Sequence, residues 1–252
     1  MDDDALLGLC HRVVDAVPAA LAGIEDWAPP GERPGQYAID LAADAAVLEV
    51  LAGSGLGVLS EESGLHDEGA AMVAVVDPVD GSTNASRGIP WYATSVCVVD
   101  EVGPRVAVVA NLALGVRYHA VRNGGAWRGT TRLAHSGRTR LAEAVVGLSG
   151  YPRRHLGWAQ FRALGAAALD LCAVAEGMLD AYCVGGRAHL APWDYLGGML
   201  VCTEAGACVR DLDGEELVAL RPDTRRSVVA AATPELLDEL VVAARRARAE
   251  AV

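Results

Sequence analysis

The string Val75-Val76-Asp77-Pro78-Val79-Asp80-Gly81-Ser82-Thr83-Asn84 constrains this chain more than any other part of it. An apolar strand over 72–76 runs into a proline, which fixes one backbone angle and removes an amide donor, so the strand is expected to stop there. Two aspartates follow with the Val79 carbonyl between them, and oxygen donors of this kind suit a hard cation such as Mg²⁺. Gly81 lets backbone approach a ligand closely. Ser82, Thr83 and Asn84 can open a helix whose first amides have no partner and attract an anion. An isolated Asp-Gly-Ser would be an ordinary turn with a helix cap. The whole string after a buried strand points instead to a metal beside an anion.

The remainder of the chain alternates helical and strand periodicity, so the fold class is α/β or α+β. Helices are expected over 4–22, 39–51, 162–175 and 195–204, and a last one follows Thr233-Pro234-Glu235, which supplies a cap, a first-turn proline and an acid. Short strands are expected over 57–59, 94–99, 106–111, 116–121, 144–148, 179–184, 207–211 and 227–231. The Gly- and Arg-rich stretch 122–140 divides the chain into two halves, 1–138 and 139–252. Asp211-Leu212-Asp213-Gly214 lacks the spacing of a calcium loop and reads as a turn.

Charge narrows the function. Acidic residues outnumber basic ones 33 to 21, for a formal net charge of −12, and every basic residue is arginine. A chain without lysine has no Schiff-base, Walker-type or lysine general-base chemistry. Its acidity argues against nucleic acid and against an anionic membrane, and no apolar run is long enough to span a bilayer. The six cysteines form no Cys-x-x-Cys pair and sit mostly among aliphatic residues, which favours buried thiols in a reducing cytoplasm over a disulfide framework. The start Met1-Asp2-Asp3-Asp4 has no secretory character.

Two further segments carry carboxylates. Ser60-Glu61-Glu62-Ser63 follows a short strand and by itself could be a solvated turn. Trp193-Asp194 precedes a Gly-rich helix, where Asp194 could simply cap a helix beginning at Tyr195. With Asp77-Pro78-Val79-Asp80-Gly81-Ser82-Thr83-Asn84 between them, these segments resemble the inositol monophosphatase family of lithium-sensitive, metal-dependent sugar phosphatases in both order and separation. Ala43-Asp44, Gly88-Ile89-Pro90-Trp91-Tyr92 and Thr203-Glu204-Ala205-Gly206 match as well.

That resemblance implies a layered αβαβα sandwich, usually a homodimer, with a cytoplasmic hydrolase activity on a small phosphorylated polyol or sugar. It makes Glu61, Asp77, the Val79 carbonyl, Asp80 and Asp194 the ligands of about two or three Mg²⁺ ions, with Li⁺ inhibitory. It makes Glu61, Asp44 and Ser82 catalytic, Asp44 and Ser82 forming the couple that deprotonates the attacking water. Gly81, Ser82 and Thr83 would hold phosphate. Bare, these acids would repel one another and take up protons, which divalent cations would reverse. Histidinol phosphate, fructose 1,6-bisphosphate and 3′-phosphoadenosine 5′-phosphate are alternative substrates of the same superfamily, and a catalytically silent metal- or phosphate-binding relative is a further alternative. Two departures bear on specificity. The family's early lysine has only Arg33 nearby. The stretch Val184-Gly185-Gly186-Arg187-Ala188-His189 is basic where relatives are acidic, which makes Arg187 and His189 candidate substrate contacts.

Overall fold

The computed structural model describes residues 1–32, 36–186 and 189–249. The chain opens with α1 (Asp3–Leu21), whose first turn is capped by the Asp2 carboxylate accepting the Ala5 amide at 2.9 Å. Then come α2 (Ala38–Leu51), β1 (Gly57–Ser60), β2 (Gly64–His66), β3 (Val73–Asp80) and the short α3 (Ser82–Ser86). β4 (Ala93–Asp100), β5 (Gly103–Asn111), β6 (Val116–Val121), β7 (Gly125–Arg128) and β8 (Thr131–Arg132) complete an eight-stranded sheet in the order β2-β1-β3-β4-β5-β6-β7-β8. After the crossing come β9 (Val145–Ser149), β10 (Gln160–Arg162), α4 (Ala167–Glu176), β11 (Ala181–Val184), α5 (Pro192–Glu204), β12 (Cys208–Asp211), β13 (Val228–Ala231) and α6 (Pro234–Ala249). Their strands form a second sheet, β10-β9-β11-β13-β12.

Side chains alternate across a strand, and that alternation sorts the cores into layers. Ala74, Val76, Val96, Val98, Val106 and Val108 face α1 and α2. The intervening Val75, Cys97, Val99, Ala107 and Val109 face α4 and α5. Tyr182, Val184, Val228 and Ala230 of the second sheet close over the same two helices. Its other face, through Cys183, Val229 and Ala231, packs on Leu236, Leu237 and Leu240 of α6. The stack is therefore helix, sheet, helix, sheet, helix, the αβαβα sandwich. α4 and α5 lie between two sheets and are apolar nearly all round. They approach so closely that a Cβ on Gly198 would come 2.7 Å from Leu171 Cβ and 2.9 Å from the Ala168 carbonyl.

Several local expectations are corrected. Pro78 does not end its strand: β3 pairs with β4 at Asp77↔Ser95 and again at Asp80↔Ala93, with a register shift between them. The proline sits in that irregularity, where the ladder does not need its missing amide. The helix expected over 162–175 begins only at Ala167, because Gln160–Arg162 pairs with β9 as an edge strand and Gly165 turns the chain at φ +91°. Stretch 122–140 contributes β7 and β8 to the first sheet after a turn at Asn123, φ +64°. α5 starts at Pro192, so Asp194 lies in its first turn, accepting the Ala191 amide at 2.7 Å. The Asp211–Gly214 turn forms as expected, with the Gly214 amide on the Asp211 carbonyl at 3.2 Å. Thr233 caps α6 through the Leu236 amide at 3.3 Å. All six cysteines are free thiols, and no helix among the described residues is long and apolar enough to cross a membrane.

Candidate active site

β1 and β3 run parallel, so Ser60 and Val76 lie side by side and both strands deliver their C-terminal ends to one place. The first turn of α5 and the N-terminal part of α2 reach the same place. Together they bound a cleft of about 610 Å³ whose walls include Asp40, Glu61, Glu62, Ser82, Trp193 and Arg225.

Glu61, Asp77 and Asp194 each bring one carboxylate oxygen to within 4.8 Å of the other two. Asp77 is buried, while Glu61 and Asp194 keep some exposure to the cleft. Burial, then the fields of Asp194 and Glu62, push the Glu61 carboxyl up to about 8. Asp77 is pushed well above the usual carboxylate range by burial and by Glu61, Asp80 and Asp194. Asp80 rises to about 8 through burial, although the Ala168 amide donates to its Oδ2 at 2.7 Å and works the other way. Asp194 rises to about 7 through burial and Asp80, opposed by the Ala191 amide and by Arg225. Carboxylates this close, with little water between them, stay ionised together only when a cation neutralises them. Their donor set is all oxygen, which fits Mg²⁺ rather than a softer metal. The Val79 amide donates to Asp77 Oδ1 at 3.0 Å, which fixes that side chain and places Val79 between the two aspartates.

Gly81 joins β3 to α3 at φ +87°, and a Cβ there would meet the Gly165 carbonyl at 3.0 Å and Ala166 Cβ at 3.1 Å. Only glycine satisfies both the left-handed backbone and the close neighbour. Asn84 holds the junction from behind, donating to the Trp91 and Leu164 carbonyls, each at 2.7 Å. The asparagine of the string is thus a tether between two loops. Ser82 lines the cleft, while Thr83 is exposed beside the Tyr37 hydroxyl at 3.5 Å.

The structure ties Asp44 to Ser60. Asp44 is buried and accepts the Ser60 hydroxyl, whose oxygen in turn takes the Glu62 amide at 3.3 Å. Among the described residues its side-chain hydrogen bond goes there and not to Ser82. Asp40, one turn earlier on α2, lines the cleft, its Oδ2 accepting the Tyr37 amide at 2.8 Å. The sequence reading missed it. Its available signal was position: an acid three residues after the helix start reaches back to the cap amide, and so lies near the helix end that faces the site. His189 is exposed and hydrogen-bonded to Ser227 at 3.2 Å, outside the cleft lining. Arg33 and Arg187 fall outside the described residues. Arg225, also missed, lies more than thirty residues beyond Trp193 in an irregular stretch with no motif to mark it.

Comparisons with known proteins bear on the family and the fold. The model of the inositol monophosphatase family matches residues 36–250. The fructose-1,6-bisphosphatase/inositol-1-monophosphatase of Archaeoglobus fulgidus is 32% identical over 228 residues, covering 86% of this chain and 88% of that protein. The Nus factor SuhB of Pasteurella multocida is 32% identical, covering 80% and 83% of the two chains. A solved Pyrococcus horikoshii protein described as having similarities to inositol-1 monophosphatase superposes with a TM-score of 0.81 at 25% identity, covering 95% of this chain and 96% of its own.

Proposed function

This chain belongs to the inositol monophosphatase family and is a metal-dependent phosphatase of that superfamily, and we propose that it hydrolyses the phosphate monoester of a small polyol or sugar at the cleft between β3 and α5. What carries the reading is the convergence of Glu61, Asp77 and Asp194 beside the glycine junction that opens α3. In this proposal Glu61, Asp77, Asp80, Asp194 and the Val79 carbonyl hold Mg²⁺. Bound there, the metal supplies Lewis-acid charge that acidifies water and offsets the developing charge on the phosphoryl and leaving oxygens. Amides of Gly81, Ser82 and Thr83 orient the phosphate at the start of α3.

The proton of the attacking water goes to the α2 wall. We assign that role to Asp40, with Ser82 orienting the water, because both line the cleft while Asp44 is engaged behind it. Asp44 then acts as a positioning residue, holding Ser60 and through it the turn that carries Glu61. Six free thiols suit a reducing, cytoplasmic setting. A homodimer and inhibition by Li⁺ are expected from the family.

The test is phosphate release from inositol, histidinol, fructose and nucleotide phosphates with and without Mg²⁺, for wild type and Asp80→Asn. Release should depend on Mg²⁺ and fall at least about 100-fold in the variant, since losing a ligand costs no less than losing its outer support. Equal rates with and without metal would sink the reading.

A further inference from the structure

Resting on the phosphatase reading above, we propose that Asp170 is a positioning residue: from α4 it holds Trp91, and through Trp91 it fixes the Gly81–Asn84 junction that receives the phosphate. Asp170 lies in the first turn of α4 and is fully buried. Its Oδ1 accepts the Trp91 indole N–H at 2.8 Å, while its Oδ2 is buried without a partner among the described residues. A carboxylate in an apolar layer is costly, and an unpartnered oxygen adds to the cost. Its neighbours on the helix, Ala167, Ala168, Leu169, Leu171 and Cys172, pack there without any such cost. The bond that this carboxylate does make goes to Trp91, so its role follows from what Trp91 holds.

Trp91 belongs to the loop that joins α3 to β4, and its backbone is wound around Asn84. The Ile89 amide donates to the Asn84 carbonyl at 2.9 Å, and the Trp91 amide to the Ile89 carbonyl at 2.7 Å. The Trp91 carbonyl accepts the Asn84 side-chain amide at 2.7 Å, and it would lie 3.2 Å from a Cβ on Gly81. Trp91 therefore bears on both ends of the segment 81–84. Pinning its indole from α4 leaves the loop, and the junction behind it, one position.

The same helix holds a proposed metal ligand, since the Ala168 amide donates to Asp80 Oδ2 at 2.7 Å. One rigid element thus spaces Asp80 from the junction, and the two must meet the same phosphate. The tie to Asp80 is made by backbone and does not depend on a side chain of α4. The tie to Trp91 depends on Asp170. Asn84 also donates to the Leu164 carbonyl, just before α4, so loss of Asp170 loosens the junction without freeing it.

The test compares wild type with Asp170→Leu, Asp170→Asn, Trp91→Phe and the double variant of Asp170→Leu with Trp91→Phe. For each, kcat and KM are measured with Mg²⁺ on the best ester of the panel above, the affinity for inorganic phosphate by titration calorimetry, and Tm. In Asp170→Leu and Trp91→Phe, KM and the phosphate Kd should rise by similar factors, roughly 5-fold or more, less than a whole charge-assisted hydrogen bond because Asn84 keeps its second tie. Turnover should change less. The double variant should be no worse than the poorer single one, as for a pair that acts as a unit. Asp170→Asn keeps the acceptor and should recover most of the loss. Single variants that lower Tm but leave KM and phosphate affinity as in wild type overturn the assignment, as do losses that multiply in the double variant or an Asn variant as poor as Leu. If Asp170→Leu does not fold, Trp91→Phe decides alone, and an unchanged phosphate affinity overturns the assignment. No Mg²⁺-dependent release from any ester by the wild type would instead overturn the phosphatase reading on which it rests.

Discussion

The wall of the cleft built by β3 and α3 is held mainly by backbone: Gly81 at φ +87°, the Val79 amide on Asp77, and Asn84 spanning two carbonyls. The wall built by α5 and the 222–226 loop is held differently. Beyond the Asp194 capping contact, Arg225 donates to the Pro222 and Thr224 carbonyls of its own loop and lies over the Trp193 ring. The contrast teaches where chemistry and selectivity are kept. Phosphoryl transfer needs charges fixed before the substrate arrives, and in the proposed function this tethered junction supplies them. Selectivity needs a surface that can change without moving those charges, and an irregular loop outside the ladders provides it.

The comparison can be broken most severely at the first wall. Asp40→Asn should lower kcat by roughly 100-fold or more, the usual reach of a positioned base, while Asp44→Asn should cost less in kcat and show its effect in thermal stability. If Asp44→Asn proves the more damaging in steady-state kinetics and Asp40→Asn is benign, the assignment of the two carboxylates is reversed. A smaller effect is expected from Gly81→Ala, which forces a strained backbone and a 3.0 Å approach to the Gly165 carbonyl. It should destabilise by about 1–3 kcal/mol in urea unfolding and weaken phosphate binding. An unaltered midpoint would show that the junction relaxes.

The last effect is thermodynamic. Glu61, Asp80 and Asp194 bind protons more tightly folded than unfolded, with values raised from 4.5, 3.8 and 3.8 to about 8, 8 and 7. For the metal-free protein their contribution to stability is full below about pH 4 and is lost as pH rises toward 8. Calorimetry should therefore find the metal-free Tm lower by several degrees at pH 8 than at pH 5. Added Mg²⁺ should restore more stability at pH 8 and release protons at pH 6. A metal-free Tm that rises across this window would mean that the carboxylates are already neutralised by the protein itself.

Much of this was legible before the fold was known. In Val75–Asn84 the buried strand, the glycine turn and the helix start are legible because these parts act on one another within a few residues. The two glutamates and Trp-Asp read correctly in order and spacing, and Asp77 and Asp194 do come together with Glu61. The errors share a cause. Pro78 is accommodated by a slip against β4 and Gln160–Arg162 is recruited by β9, both decisions made by a partner strand outside the local window. Asp40 and Asp44 lie on one helix only four residues apart, so sequence alone cannot say which meets the cleft.

By itself the sequence determined the kinds of atoms available: carboxylates for a hard cation, amides for a phosphate, no lysine to do either task, and alternation that sorts two sheets between three helical layers. Only the tertiary structure decided which arginine among the described residues lines the cleft, and it is Arg225. Three arginines, Arg221, Arg225 and Arg226, occur within six residues. All three donate to nearby oxygens, Arg221 to Asp223, Arg225 to the Pro222 and Thr224 carbonyls and Arg226 to the Glu216 and Arg225 carbonyls, but only Arg225 also lines the cleft. The physical reason is that the cleft itself is assembled from α2, the end of β1, the start of α3, α5 and the 222–226 loop, so a side chain's place on it exists only once those separate segments pack.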